Sequence, residues 1–169
     1  MVNSLPEELL EQANLLLTFP PNQANLRRAV STAYYGLFHL LIRSAVMKWS
    51  DPLHQARIAR MFEHERMKKI CGGTIKSIRA EIDFDDSNST EARCWTELTK
   101  VAQAFIILQQ ARHNADYNLE SPLDPADAMA QVKEANAAFV DWELPAAPKQ
   151  PENSCFHCCS KRRNGRRIF

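Results

Sequence analysis

The stretch QANLRRAVSTAYYGLFHLLIRSAVMK, residues 23–48, places Leu26, Val30, Ala33, Leu37, Leu40 and Leu41 at steps of three and four. Side chains so spaced fall on one stripe of an α-helix, because about 3.6 residues complete a turn, and such a stripe must face a core. A helix of this length runs about 39 Å, enough to act as a staff against which shorter helices pack. Beside the apolar stripe Arg28, Thr32, Tyr35 and His39 make a polar one, which is the first place to look for a site.

The remaining sequence agrees with a helical fold. Only four glycines occur among 169 residues, none in a phosphate-cradling pattern, and no run alternates apolar with polar residues under β-branched enrichment. That predicts an all-α chain. A hydrophobic content of 45% suffices for one core. The longest apolar run, residues 33–38, is far short of the roughly 20 residues of a membrane span, and no basic-then-apolar leader opens the chain. A soluble cytoplasmic protein without membrane contact is expected.

The formal charge of +1 conceals an asymmetry. Lys161, Arg162, Arg163, Arg166 and Arg167 crowd the end, so the tail carries +5 and the body −4. Non-specific affinity for nucleic acid scales with the phosphates neutralised, so a body of this charge binds polyanions only through a local cluster. Cys71 and Cys94 lack metal-ligand spacing and read as reduced, partly buried thiols.

Taken in order, Ser4-Leu-Pro-Glu7 is a capping box with proline near the first turn, opening a helix over about 6–17. Pro20-Pro21-Asn22 turns the chain into the central helix as an antiparallel neighbour. A third helix is predicted over 54–69, stopping at Gly72-Gly73. Residues 74–84 have room for one or two helical turns before a polar loop. Ser89 or Thr90 caps a second long helix reaching about Asn118, with Leu98, Val101, Ala102, Phe105, Ile106 and Leu108 inward. After Ser121-Pro-Leu-Asp-Pro a last helix over 126–142 turns Ala128, Met129, Val132, Ala135, Phe139 and Trp142 to the core. From Pro145 onward the composition is that of a flexible tail, so residues 1–144 form the folded domain and 145–169 the tail.

Leu26-Arg-Arg-Ala-Val-Ser-Thr-Ala-Tyr-Tyr-Gly-Leu-Phe-His39 on one long helix, with Arg112-His-Asn-Ala-Asp-Tyr117 near the end of another, resembles the HEPN family, the higher eukaryotes and prokaryotes nucleotide-binding domains. The resemblance covers residues 4–142. It implies an up-and-down bundle of four to five helices that dimerises. It also implies an RNA-directed role: metal-independent endoribonuclease, often a toxin or defence effector, or non-catalytic RNA-binding or scaffold module. The nuclease members place a His on the late helix after four to six residues intervening from the Arg; counted from Arg112, those slots hold Tyr117, Asn118 and Leu119. The family histidine is absent, and Ala-Asp-Tyr stands in its place.

Metal-free RNA cleavage needs a base for the 2′-hydroxyl proton, an acid for the leaving oxygen and a cation for the phosphorane. A phenol, with an ordinary pKa of about 10, is a poor base. His113 lies about 100° around the helix from Arg112, so the two do not share a face. Asp116, at i+4, is placed for a surface ion pair with Arg112. The site candidates are thus Arg112, His113, Asp116 and Tyr117 for catalysis and Arg28, Tyr35 and His39 for RNA binding, with no metal and no cofactor expected. Tyr34, Tyr35 and Phe38 are alternatively core or dimer packing, and His39 a half-buried histidine. Arg27 and Arg28 stand where a helix dipole disfavours cations, which calls for an anionic partner. Arg57 with His64 matches the family spacing but outside its motif, and reads as chance.

Cys155-Phe-His-Cys158-Cys159 in the tail could suggest zinc, but four ligands within five residues cannot easily wrap a tetrahedron. An oxidisable tail with a basic end is the simpler reading. Two functions are carried forward: an RNA-directed HEPN-like protein, and a homodimeric interaction module partnering a nucleotidyltransferase-type antitoxin or another regulatory protein.

Overall fold

The computed structural model describes residues 4–47, 50–82 and 90–143, and within them the chain is all α. The helices are α1 (Leu5–Thr18), α2 (Gln23–Val46), α3 (Pro52–Ala59), α4 (His64–Ile82), α5 (Thr90–Tyr117) and α6 (Pro125–Glu143). The proposed tail from Pro145 and its cysteine and basic residues lie outside the described residues, as do the Ser89 cap and Lys48.

Helix α2 is the staff its periodicity predicts. Fourteen of its 24 residues are buried, on more than one side, because α1, α3, α5 and α6 all pack on it. Tyr34, Leu37, Phe105 and Leu108 are wholly buried where α2 meets α5, with Val101, Val132, Ala135 and Phe139 completing the core. Fully burying an aliphatic or aromatic side chain contributes about 1.5–3 kcal/mol, so this cluster supplies most of the drive to fold. Cross-chain bonds show the directions. Arg27 at the start of α2 meets the end of α5, whereas Ser44 near the end of α2 accepts from Trp142 near the end of α6, at 2.8 Å. So α5 runs antiparallel to α2, and α6 parallel to it.

Gly36 sits where α1 crosses α2. A Cβ there would stand 3.2 Å from the backbone oxygen of Pro6 and 3.6 Å from the Phe139 ring, so the close approach depends on the missing side chain. Of Tyr34, Tyr35, Gly36 and Phe38, clustered mid-helix, Tyr35 is partly buried and the other three are buried within this chain.

Four local expectations are corrected. The capping box does not form: Ser4 gives no hydrogen bond to the α1 backbone, and its hydroxyl instead contacts Glu7 and Arg43. Arg43 grips the Glu7 carboxylate from α2 with bonds of 2.7 and 2.9 Å, and this fork draws the glutamate away from the helix start. Its hydrogen bonds hold the Glu7 carboxyl below the usual carboxylate range, against the opposing effect of burial. The helix expected over 54–69 is divided between α3 and α4, giving six helices among the described residues. No glycine or proline marks this break; Phe62 packs on the core there and His64 turns to Tyr34. Gly72-Gly73 does not stop α4, because Met67, Cys71, Thr74 and Ile78 form one buried stripe across it. Packing of that stripe outweighs the roughly 1 kcal/mol each glycine costs a helix. Finally, Met129 faces outward at 61% exposure, so the inner face of α6 is Ala128, Val132, Ala135 and Phe139.

Candidate functional site

Polar and aromatic side chains from α2, α4 and α5 converge around Arg112, in the last two turns of α5. Its Nε lies 2.8 Å from Asp116 Oδ2, the ion pair that i, i+4 spacing anticipates, and its Nη2 donates to Tyr35 Oη at 2.7 Å. Asp116 is braced in turn by the Ser31 hydroxyl of α2. The guanidinium also lies 5.4 Å from the Tyr35 ring centre, 5.8 Å from that of Tyr117 and 6.0 Å from that of Tyr34, within reach of cation–π attraction. Burial opposes its charge, but the Tyr35 hydroxyl and Asp116 outweigh that and raise its pKa. At 18% side-chain exposure Arg112 is largely withdrawn yet not sealed. Among the described residues its Nη1 carries no hydrogen bond.

The residues proposed from sequence are distributed unevenly. Tyr35 lies in the cluster, bonded to Arg112. Asp116 lies there as well, as an acceptor and not in a position that requires catalysis. Tyr117 is 65% exposed and packs against His113, ring centres 5.1 Å apart, so the two form an outward aromatic pair at the end of α5. Tyr117 thus neighbours both His113 and Arg112. His39 is half-buried beside Phe38, and burial lowers its pKa. Arg28 is exposed and joins nothing in the cluster. Its neighbour Arg27 has the structural role: it donates to the carbonyls of Ala115, Asn118 and Ser121 at 2.8 Å each, closing the end of α5. The anionic partner expected for the start of α2 is thus the negative end of another helix.

The residue that sequence reasoning set aside is His64. As the first residue of α4 it sits against Tyr34, Tyr35 and Phe38, with ring centres 5.5, 5.9 and 4.3 Å away. Its Nδ1 is 2.6 Å from the hydroxyl of Tyr34. Burial lowers its pKa, the positive charge of Arg112 and then the proximity of His39 lower it further, and Glu65 opposes them. The same burial raises the pKa of Tyr34, which keeps its proton. The Arg57–His64 spacing, which reads as chance in the sequence, does not place His64 here. What decides the matter is the break before α4, which has no sequence mark.

Chemically the cluster offers a guanidinium whose Nη1 is open, an imidazole whose pKa is lowered, and exposed aromatic faces. Among the described residues no three His, Cys, Asp or Glu side chains gather as a metal site, and no helix is long and apolar enough to cross a membrane. Comparison of the chain with protein-family models, with curated proteins and with solved structures finds no match.

Proposed function

We propose that this chain is an RNA-directed protein that takes a backbone phosphate at Arg112 and a single-stranded base on the Tyr117–His113 face. One observation carries the reading: a largely buried guanidinium is held in place by Tyr35 and Asp116, yet keeps Nη1 free beside an exposed aromatic pair. An arginine fixed on one edge and open on another is prepared for a charge-assisted bond to a phosphate oxygen. Base stacking on exposed aromatics is how single strands are commonly held. The resemblance to HEPN domains points the same way, to a toxin–antitoxin or defence setting. The test is binding of a fluorescent single-stranded RNA, and its cleavage in EDTA, by wild type and Arg112→Ala at matched salt. Loss of that bond should weaken binding by about 1.5–3 kcal/mol without unfolding the bundle. Unchanged RNA behaviour with a lowered melting temperature would leave Arg112 a structural ion pair.

A second reading, the homodimeric or antitoxin-partnered interaction module, draws on Met129 and Val140. They stand three turns apart on one face of α6 and are 61% and 63% exposed. A dimeric mass by light scattering, reduced by Met129→Lys, would favour it.

A further inference from the structure

We propose that His64 and Arg112 form a two-pronged receptor for one RNA phosphate, with Tyr34 locking the His64 ring in its Nε2–H tautomer, so that His64 grips the phosphodiester and does not act as a base on it. The inference rests on the RNA-directed reading and decides what the site does with its ligand.

The argument begins at Tyr34, which is 0% exposed. Its hydroxyl has one hydrogen-bond partner among the described residues, His64 Nδ1. A buried O–H left without an acceptor costs about 1–3 kcal/mol, so the phenol donates and Nδ1 accepts. Burial holds the phenol in its protonated form, which keeps that donor in place. Burial and the nearby charge of Arg112 likewise favour the neutral imidazole. A neutral ring that accepts at Nδ1 carries its proton on Nε2, which is then a donor with no lone pair to offer.

Both prongs flank the Tyr35 ring, Arg112 Cζ at 5.4 Å from its centre and His64 with ring centres 5.9 Å apart. Neither His64 Nε2 nor Arg112 Nη1 has a hydrogen-bond partner among the described residues. Two open donors against one aromatic ring suit an anion with several acceptor oxygens, and a backbone phosphate provides them. General-base attack by a 2′-hydroxyl would need the lone pair that the tautomer withholds.

The full chain is tested in two ways. Nitrogen-15 NMR of the histidine rings reads the tautomer directly, and the His64 signals, assigned by their loss in His64→Ala, should be those of an Nε2–H ring. Binding of a labelled single-stranded RNA is then compared among wild type, His64→Ala and His64→Gln, each checked for folding by its melting curve, with products resolved on a gel. His64→Ala should weaken binding about tenfold, the loss of one hydrogen bond to an anion, while His64→Gln, whose amide N–H can occupy the Nε2 position, should stay within about threefold of wild type. No variant should differ in cleavage. An Nδ1–H ring, binding indifferent to His64→Ala while Arg112→Ala abolishes it, or cleavage that disappears with His64 would each overturn the receptor and leave the RNA-directed reading standing. Absence of RNA binding by the wild type would overturn both.

Discussion

Arg27 and Arg28 are adjacent and chemically identical, yet their replacement should have very different effects. Arg27 makes three bonds of 2.8 Å to carbonyls at the end of α5 and in the loop that follows it, one of them part-buried at Ala115 and two exposed at Asn118 and Ser121. A hydrogen bond to a charged group contributes about 1.5–3 kcal/mol where water cannot replace it, so the Ala115 bond counts in full and the others far less. Placing a cation at a helix C-terminus adds about 0.3–1 kcal/mol. Arg27→Ala should therefore cost about 2.5 kcal/mol. For a chain of this size that lowers the melting temperature by roughly 5–10 °C. Arg27→Lys should recover under half of this, since a single ammonium cannot span three carbonyls as a planar fork does. Arg28→Ala, on an exposed side chain, should stay within about 0.5 kcal/mol of wild type. Urea denaturation of the three variants measures the differences, and hydrogen exchange should show the last turn of α5 losing protection in Arg27→Ala alone. Equal effects at the two positions, or intact protection in that turn, would refute the capping argument.

Two further changes test the bundle itself. Gly36→Val should destabilise by about 1–3 kcal/mol, because the added methyls meet the α1 backbone at Pro6, whereas Gly36→Ala should be near neutral, its gain of about 1 kcal/mol in helix propensity offsetting a 3.2 Å contact; melting curves separate the two. Asp141 has its pKa raised, first by burial and then by its hydrogen bond with Glu97, with Glu134 adding to the effect and Lys100 opposing it. A carboxyl whose folded pKa exceeds its unfolded one contributes most at low pH and loses that contribution as pH rises through the folded value. Asp141→Asn should consequently stabilise the protein at pH about 7 by up to roughly 0.5–1 kcal/mol, with the difference fading below about pH 4; denaturation at both pH values checks it, and a benefit greatest in acid would contradict the sign.

The all-α class, the central place of α2 and the inward faces of α5 were legible in the sequence because helical periodicity is a local property: residues three and four apart share a face wherever the helix lies. The Arg112–Asp116 pair was legible for the same reason, being a neighbour on one helix. What the spacing could not carry is which outside group each polar face would meet. Tyr34 and His64 are 30 residues apart, Arg112 and Tyr35 are 77, and Arg27 reaches carbonyls 88 to 94 residues away. Such partners are assigned by how helices cross, which depends on the summed packing of many apolar side chains and not on any motif at either end. The same packing overrode local signals, carrying α4 through Gly72-Gly73 and breaking the chain before His64 where no glycine or proline stands. Only the tertiary structure brings His64, from α4, to the Tyr35 ring that Arg112 also meets. A helix break without a sequence mark is stabilised by contacts that exist only once the core has formed.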